Sequence, residues 1–181
     1  QIHREFRKPL VVMSPKNLLR HPKAVSKLEE FDNSDDNDSL QGIRFKRMIM
    51  DKTSTSRSMD PPVEEKVERV IFCSGKVYYD LDESREEASK LDTVKICRVE
   101  QLAPFPWDLV QRELKRYPNA EVVWCQEEPM NMGAWGHIEP RMRTLFKHLS
   151  RSGETRYAGR RPAASPATGY AAVHAQEQAA L

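Results

Sequence analysis

Three short stretches carry side chains whose types and spacing suit chemistry. Gln126-Glu127-Glu128-Pro129 sets two carboxylates where an apolar run ends, and paired carboxylates can act as general acid and base. Neighbouring side chains on an extended segment point opposite ways, so Glu127 and Glu128 are poorly placed to act together. A helix cap or a subunit interface is the favoured role. Ser74-Gly75-Lys76 follows an apolar run and opens a polar one. Backbone N–H groups at such a turn, with a lysine beside them, suit an anion. The spacing is not that of a Gly-x-x-x-x-Gly-Lys nucleotide loop, and a plain turn with an exposed lysine is the ordinary alternative. Gly159-Arg160-Arg161-Pro162 brings two guanidinium groups to a turn. Their forks match phosphate or carboxylate; a solvated basic turn competes on equal terms.

Other stretches exclude chemistry. Asp32 to Ser39 holds four Asp and no apolar residue. An EF-hand counted from Asp32 needs Gly at its sixth position and Glu at its twelfth, where Asn37 and Ile43 stand, so a solvated loop is expected. Cys73, Cys97 and Cys125 each sit in an apolar run without metal-ligand spacing, which predicts buried, reduced thiols. The five histidines are scattered, and none has a partner at hydrolase or metalloenzyme spacing. His137 near Trp135 reads as packing or interface rather than catalysis. Gly-x-Ser-x-Gly, Gly-x-Gly-x-x-Gly and thiamin-binding patterns are absent, so no catalytic residue and no metal ligand is assigned to this chain.

These residues need strand ends to position them. Short apolar runs at Val70 to Cys73, Val94 to Val99, Glu121 to Cys125 and Arg156 to Gly159 read as buried strands. Between them lie helical patterns at Val77 to Leu91, from Pro106 to about Arg116, and at Gly133 to Leu149. In the first, Asp80, Asp82, Glu83, Glu86 and Glu87 form an acidic outer face. In the second, Trp107, Leu109, Val110 and Leu114 form the apolar stripe, with Arg112, Glu113, Lys115 and Arg116 outside. This alternation predicts an α/β fold with three α/β/α layers, a mainly parallel sheet and helices on both faces. Upstream, residues 1 to 8 resemble the tail of a helix. Pro9 to Met13 reads as a buried strand cut off at Ser14-Pro15-Lys16, and Asn17 to His21 as a short turn or helix. Residues 31 to 42 and 51 to 62 read as flexible connections, with order returning at 43 to 50. Residues 160 to 181 are rich in Ala and Pro, then helical. The organisation expected is 1–16 as the end of a preceding domain, 17–66 as a connecting segment with flexible loops, and 67–181 as an α/β domain.

Composition bounds the partners. The net charge of +2 is too near neutral to argue for nucleic acid or an anionic membrane. A mean hydropathy of −0.71 predicts a soluble chain, and no apolar run approaches the roughly 18 to 20 residues of a spanning helix. Gln1 opens the chain with no Met before it and no signal-peptide pattern. The chain therefore reads as part of a longer protein whose targeting signal lies elsewhere.

Several strings, in one consistent order, resemble the C-terminal region of the thiamin-diphosphate-dependent decarboxylase component of 2-oxoglutarate dehydrogenase. They are Arg7 to Lys16, Leu19 to Pro22, Cys73 to Tyr79, Arg98 to Pro106, Trp124 to Pro129 and Tyr157 to Gly169. Related 2-oxoadipate-type components share part of the pattern. A free-standing module binding a phosphate-bearing ligand is the rival class. The resemblance implies a transketolase-like C-terminal domain, joined at residues 1–16 to a pyrimidine-binding domain. It implies a homodimeric oxidoreductase of the tricarboxylic acid cycle, in the mitochondrial matrix of eukaryotes. That enzyme oxidatively decarboxylates 2-oxoglutarate with thiamin diphosphate and Mg2+. Its partners are the dihydrolipoyl succinyltransferase core and dihydrolipoyl dehydrogenase. Cofactor and substrate residues are expected upstream of Gln1, so the segment alone is expected to be inactive. Some bacterial relatives bind activating acetyl-coenzyme A on this domain. The positions that match are Ser14, Lys76, Gln126, Arg160 and Arg161; at Lys27-Leu28-Glu29-Glu30 acids stand where a basic ligand is expected.

Overall fold

The structure is a computed structural model of the chain. It describes residues 5–26, 28, 45–54, 56 and 58–180. Two compact units divide it, Gln1–Ile43 and Arg44–Leu181.

In the first unit a short 3-10 helix runs over Lys16–Arg20, where a turn or short helix was expected. The strand expected at Pro9 to Met13 does not form; Leu10, Val11, Val12 and Met13 are exposed instead. A strand is stable only with a ladder partner, and the described residues of this unit supply none. Residues 5 to 8 are not helical. The acidic stretch at 31–42 lies outside the described residues.

The second unit is built on one five-stranded sheet. Its strands are β1 (Met48–Ile49), β2 (Arg69–Cys73), β3 (Val94–Val99), β4 (Glu121–Pro129) and β5 (Arg156–Arg160), in spatial order β1-β3-β2-β4-β5. All neighbours are parallel except β1, which pairs antiparallel with the outer edge of β3. The helices α1 (Val77–Glu87), α2 (Trp107–Arg116) and α3 (Trp135–His148) connect successive strands, and α4 (Ala171–Ala179) follows β5. This is the expected α/β fold. The sheet's two faces separate by the strand period of two. Val70, Phe72, Cys97, Val99, Val122 and Trp124 face the larger core with Leu114 of α2 and Ile138 and Met142 of α3. Cys73, Ile96 and Cys125 face a smaller core with Val77 of α1.

Helix α1 is shorter than the pattern to Leu91 suggested. It closes when Ser89 takes a left-handed φ of 53°, with Ser89 N–H donating to Glu86 O and Lys90 N–H to Arg85 O. Helix α3 ends the same way at Ser150, φ 51°, with Ser150 N–H on Lys147 O and Arg151 N–H on Phe146 O. Both are Schellman closures. Arg151 then turns back, and its guanidinium donates to Leu114 O at 3.0 Å and Tyr117 O at 2.8 Å. Those carbonyls at the end of α2 have no partner inside the helix.

The expected outer face of α2 is a correction. Arg112, Glu113 and Arg116 are buried, Glu113 and Arg116 completely. The segment expected to be a loose connection folds over them. Glu64 N–H donates to Arg116 O at 2.9 Å, the Arg116 guanidinium reaches Ser56 O, and Ser54 Oγ meets Tyr117 Oη at 2.9 Å. The acidic face of α1 needs a similar correction at Asp82, which is buried. Arg85 there links Asp82 to Asp51, and all three side chains are nearly sealed from solvent. Asp51 also accepts from Thr53 Oγ1 at 2.6 Å and Ile96 N–H at 2.8 Å. Burial works against its charge, and these hydrogen bonds and Arg85 outweigh it, so its carboxyl lies below the ordinary value.

Candidate functional site

The connection leaving β2 runs to β3 on one side, and the connection leaving β4 runs to β5 on the other. Adjacent strands whose connections diverge open a crevice at their carboxyl ends, where α/β sheets usually place ligands. Ser74-Gly75-Lys76 follows β2 here, and Gln126 to Pro129 completes β4. Lys76 Nζ crosses between them to Glu127 Oε1 at 2.6 Å. Glu128 is exposed, so the two neighbouring acids occupy different surroundings.

Gln126 is buried and reaches six polar groups of the chain. Its Oε1 accepts from Trp124 Nε1 at 2.9 Å, Ala134 N–H at 3.1 Å and Trp135 N–H at 2.9 Å. Its Nε2 donates to the carbonyls of Glu128, Pro129 and Met132 at 3.2, 3.1 and 2.8 Å. Helix α3 has no capping side chain of its own. Gln126 supplies that cap from the neighbouring strand, satisfying two amides that a helix start leaves open. Two glycines make room. A Cβ at Gly133, whose φ is +64°, would lie 2.8 Å from Gln126 Nε2, and one at Gly159 would lie 2.9 Å from Gln126 O and press on the Tyr157 hydroxyl.

Arg160 ends β5 opposite Pro129, and Met130 N–H donates to its carbonyl at 3.0 Å. Beside it a cleft of about 630 Å3 is lined by Arg160, Arg161, Ser165, Thr168 and Glu177, with Pro129 at its wall. Arg161 is exposed. Four of the five expected positions, Lys76, Gln126, Arg160 and Arg161, therefore gather at the carboxyl ends of β2, β4 and β5. Ser14 belongs to the other compact unit and is exposed.

Arg98, at the end of β3, was not singled out from the sequence. Its guanidinium lies over the Tyr78 ring at 4.4 Å, and its Nε is buried without a hydrogen bond. Thr168, His174 and Glu177 were missed as well. Only an acidic residue four positions from the chain end marked Glu177, and nothing local tied it to Arg160.

The thiols are inert here. Burial pushes Cys125 up to about 11, with the Glu127 charge adding to it, and burial raises Cys73 and Cys97 too. All three are protonated at neutral pH, which removes the thiolate that nucleophilic chemistry requires. Among the described residues no group of three or more His, Cys, Asp or Glu side chains could hold a metal. These residues do not fit Mg2+, and no step through thiamin diphosphate follows from them. No described helix is long and apolar enough to cross a membrane.

Residues 33–181 match the model of the family described as 2-oxoglutarate dehydrogenase C-terminal. The chain belongs to that family. It is 47% identical over 178 residues to the mitochondrial 2-oxoglutarate dehydrogenase of Caenorhabditis briggsae, covering 98% of this chain and 16% of the relative. The enzyme of the same name from Schizosaccharomyces pombe gives the same identity and coverage. The 2-oxoglutarate dehydrogenase E1 component of Brucella anthropi is 45% identical over 184 residues, covering 100% of this chain and 18% of the relative. The family member thus spans less than a fifth of these relatives.

Proposed function

We propose that this chain is the C-terminal part of a 2-oxoglutarate dehydrogenase decarboxylase component. The observation that carries it is the match of nearly the whole chain to enzymes of that name in nematode, yeast and bacterium. The intact protein would be a homodimer that decarboxylates 2-oxoglutarate with thiamin diphosphate and Mg2+ held by residues outside this chain. It would pass the acyl group to a dihydrolipoyl succinyltransferase core served by dihydrolipoyl dehydrogenase, in the mitochondrial matrix of a eukaryote. Residues 1–16 would close a pyrimidine-binding domain, 17–66 would connect while lending β1 to the sheet edge, and 67–181 would form a transketolase-type C-terminal domain.

This chain would contribute dimer surface and a regulatory anion site rather than the reacting groups. Arg160 and Arg161 beside the cleft, and Lys76 at the crevice, supply positive charge at strand ends, which suits a phosphate-bearing nucleotide such as acetyl-coenzyme A. Gln126 would act by holding the β4 corner, since its amide is spent on the chain. Calorimetry with acetyl-coenzyme A and then AMP tests the site, with Arg160→Ala/Arg161→Ala as control. Saturable binding lost in the double variant supports it; no binding by the folded protein leaves the domain as scaffold. Turnover of 2-oxoglutarate against 2-oxoadipate by the intact enzyme tests the substrate.

A further inference from the structure

The Arg160 side chain is only 11% exposed, and what surrounds it is α4. Its Nη2 lies 2.9 Å from His174 Nδ1 and donates to Gln178 Oε1 at 3.2 Å. Its Nε faces Glu177 Oε2 at 3.3 Å but forms no hydrogen bond. The Thr168 hydroxyl donates to that same carboxylate oxygen at 2.6 Å. One oxygen of Glu177 thus sits between an arginine and a hydroxyl, as an oxygen of a bound phosphate would. The grip is incomplete, because a buried guanidinium N–H is left over, and such a group costs free energy.

Little else holds the helix. α4 has nine residues and none is buried. Beyond the contacts at Arg160 and Thr168 it is tied to α1 by Gln178 Nε2 on Asp80 Oδ2 at 2.9 Å. Most helical stability in proteins comes from a packed apolar face, and the described α4 buries no residue.

We propose that α4 is a displaceable latch, with Glu177 occupying the anion position of the Arg160 cleft until a phosphate-bearing ligand takes Arg160 and Thr168 from it and frees the helix. The inference rests on the anion-site reading above. It adds that the site carries its own competitor, so the apparent affinity of the ligand is reduced by the fraction of molecules in which the latch is open. A phosphate can offer two oxygens to the guanidinium fork and engage the Nε–H that Glu177 leaves unmatched.

The test uses the full chain, with inorganic phosphate and AMP as probes. Calorimetry gives affinity, and hydrogen exchange reports protection of the α4 amides. Glu177→Gln removes the competing charge. Gln178→Ala loosens the helix without touching the carboxylate. Glu139→Gln, which faces Arg143 on α3, is the remote control. Both α4 variants are expected to tighten AMP binding, Glu177→Gln about threefold or more, and AMP is expected to lower α4 protection in the unsubstituted chain. Equal binding by all forms with unchanged α4 protection overturns the latch and leaves the anion site standing. Failure of every form to bind either probe overturns the site and the latch together.

Discussion

Lys76 and Glu127 meet at 2.6 Å across the crevice where the connections of β2 and β4 part. Both side chains are about a quarter to a third exposed, so the pair adds little stability. Its effect is local: it neutralises the lysine at the place where an anion would arrive. Glu127→Gln is expected to change unfolding free energy by less than about 1 kcal/mol. In calorimetry the same variant should bind phosphate or AMP more tightly. Unchanged or weaker binding would show that Lys76 takes no part in the site.

Arg85 carries a different kind of pair. Its guanidinium is shared by Asp51 and Asp82, with side chains 0% and 4% exposed. Arg85→Met would leave Asp51 buried without its cation and Asp82 held by Lys52 alone, at 2.9 Å, and a loss of about 3 kcal/mol or more is expected in urea unfolding. A loss under about 1 kcal/mol would mean that water reaches the cluster.

The pH dependence follows from Asp51. Its folded carboxyl lies below the ordinary 3.8, so it contributes stability that is present above that value. The contribution is lost as pH falls through the lowered folded value. Asp51→Asn is expected to be less stable at neutral pH and to show a flatter decline between about pH 4 and pH 2. Parallel curves for the two proteins would place the acid sensitivity elsewhere.

Gly159 is expected to tolerate no side chain. Gly159→Ala sets a methyl group 2.9 Å from Gln126 O and against the Tyr157 hydroxyl, which donates to Glu128 O and Arg160 O at 3.1 and 2.9 Å. Overpacking of this kind costs about 1 to 3 kcal/mol. Because Arg160 is the next residue, AMP binding should weaken with it.

Ser150 closes α3 with a φ of 51°, a conformation that costs a residue with a Cβ roughly 1 to 2 kcal/mol. Glycine avoids that strain but gains freedom in the unfolded chain. Ser150→Gly is accordingly expected to raise stability by about 0.5 to 1 kcal/mol, read as a higher melting temperature.

The strand–helix alternation was legible because buried parallel strands are short apolar runs, and Val70 to Cys73 or Val94 to Val99 announce themselves. The identity of the strand-end loops was legible too, since Ser74-Gly75-Lys76 and Gln126 to Pro129 stand where apolar runs stop. Charge misled the reading of burial. Arg112, Glu113 and Arg116 look like a solvated face until Ser54, Ser56 and Glu64 arrive from more than forty residues away in the chain. Leu10 to Met13 look like a buried strand until one asks what they pair with. Glu177 was invisible for a simpler reason: a carboxylate on an Ala-rich helix has no local sign that an arginine waits for it.

The amide of Gln126 faces oxygens on one side and N–H groups on the other. A side chain in that seat must therefore be two-natured. Glutamate, the same in shape, would aim a second oxygen at the carbonyls of Glu128, Pro129 and Met132, and lysine would offer nothing to the amides of Ala134 and Trp135. Position 126 filters substitutions by polarity rather than by size. A swap that a volume scale scores as harmless would here pull apart the corner between β4 and α3.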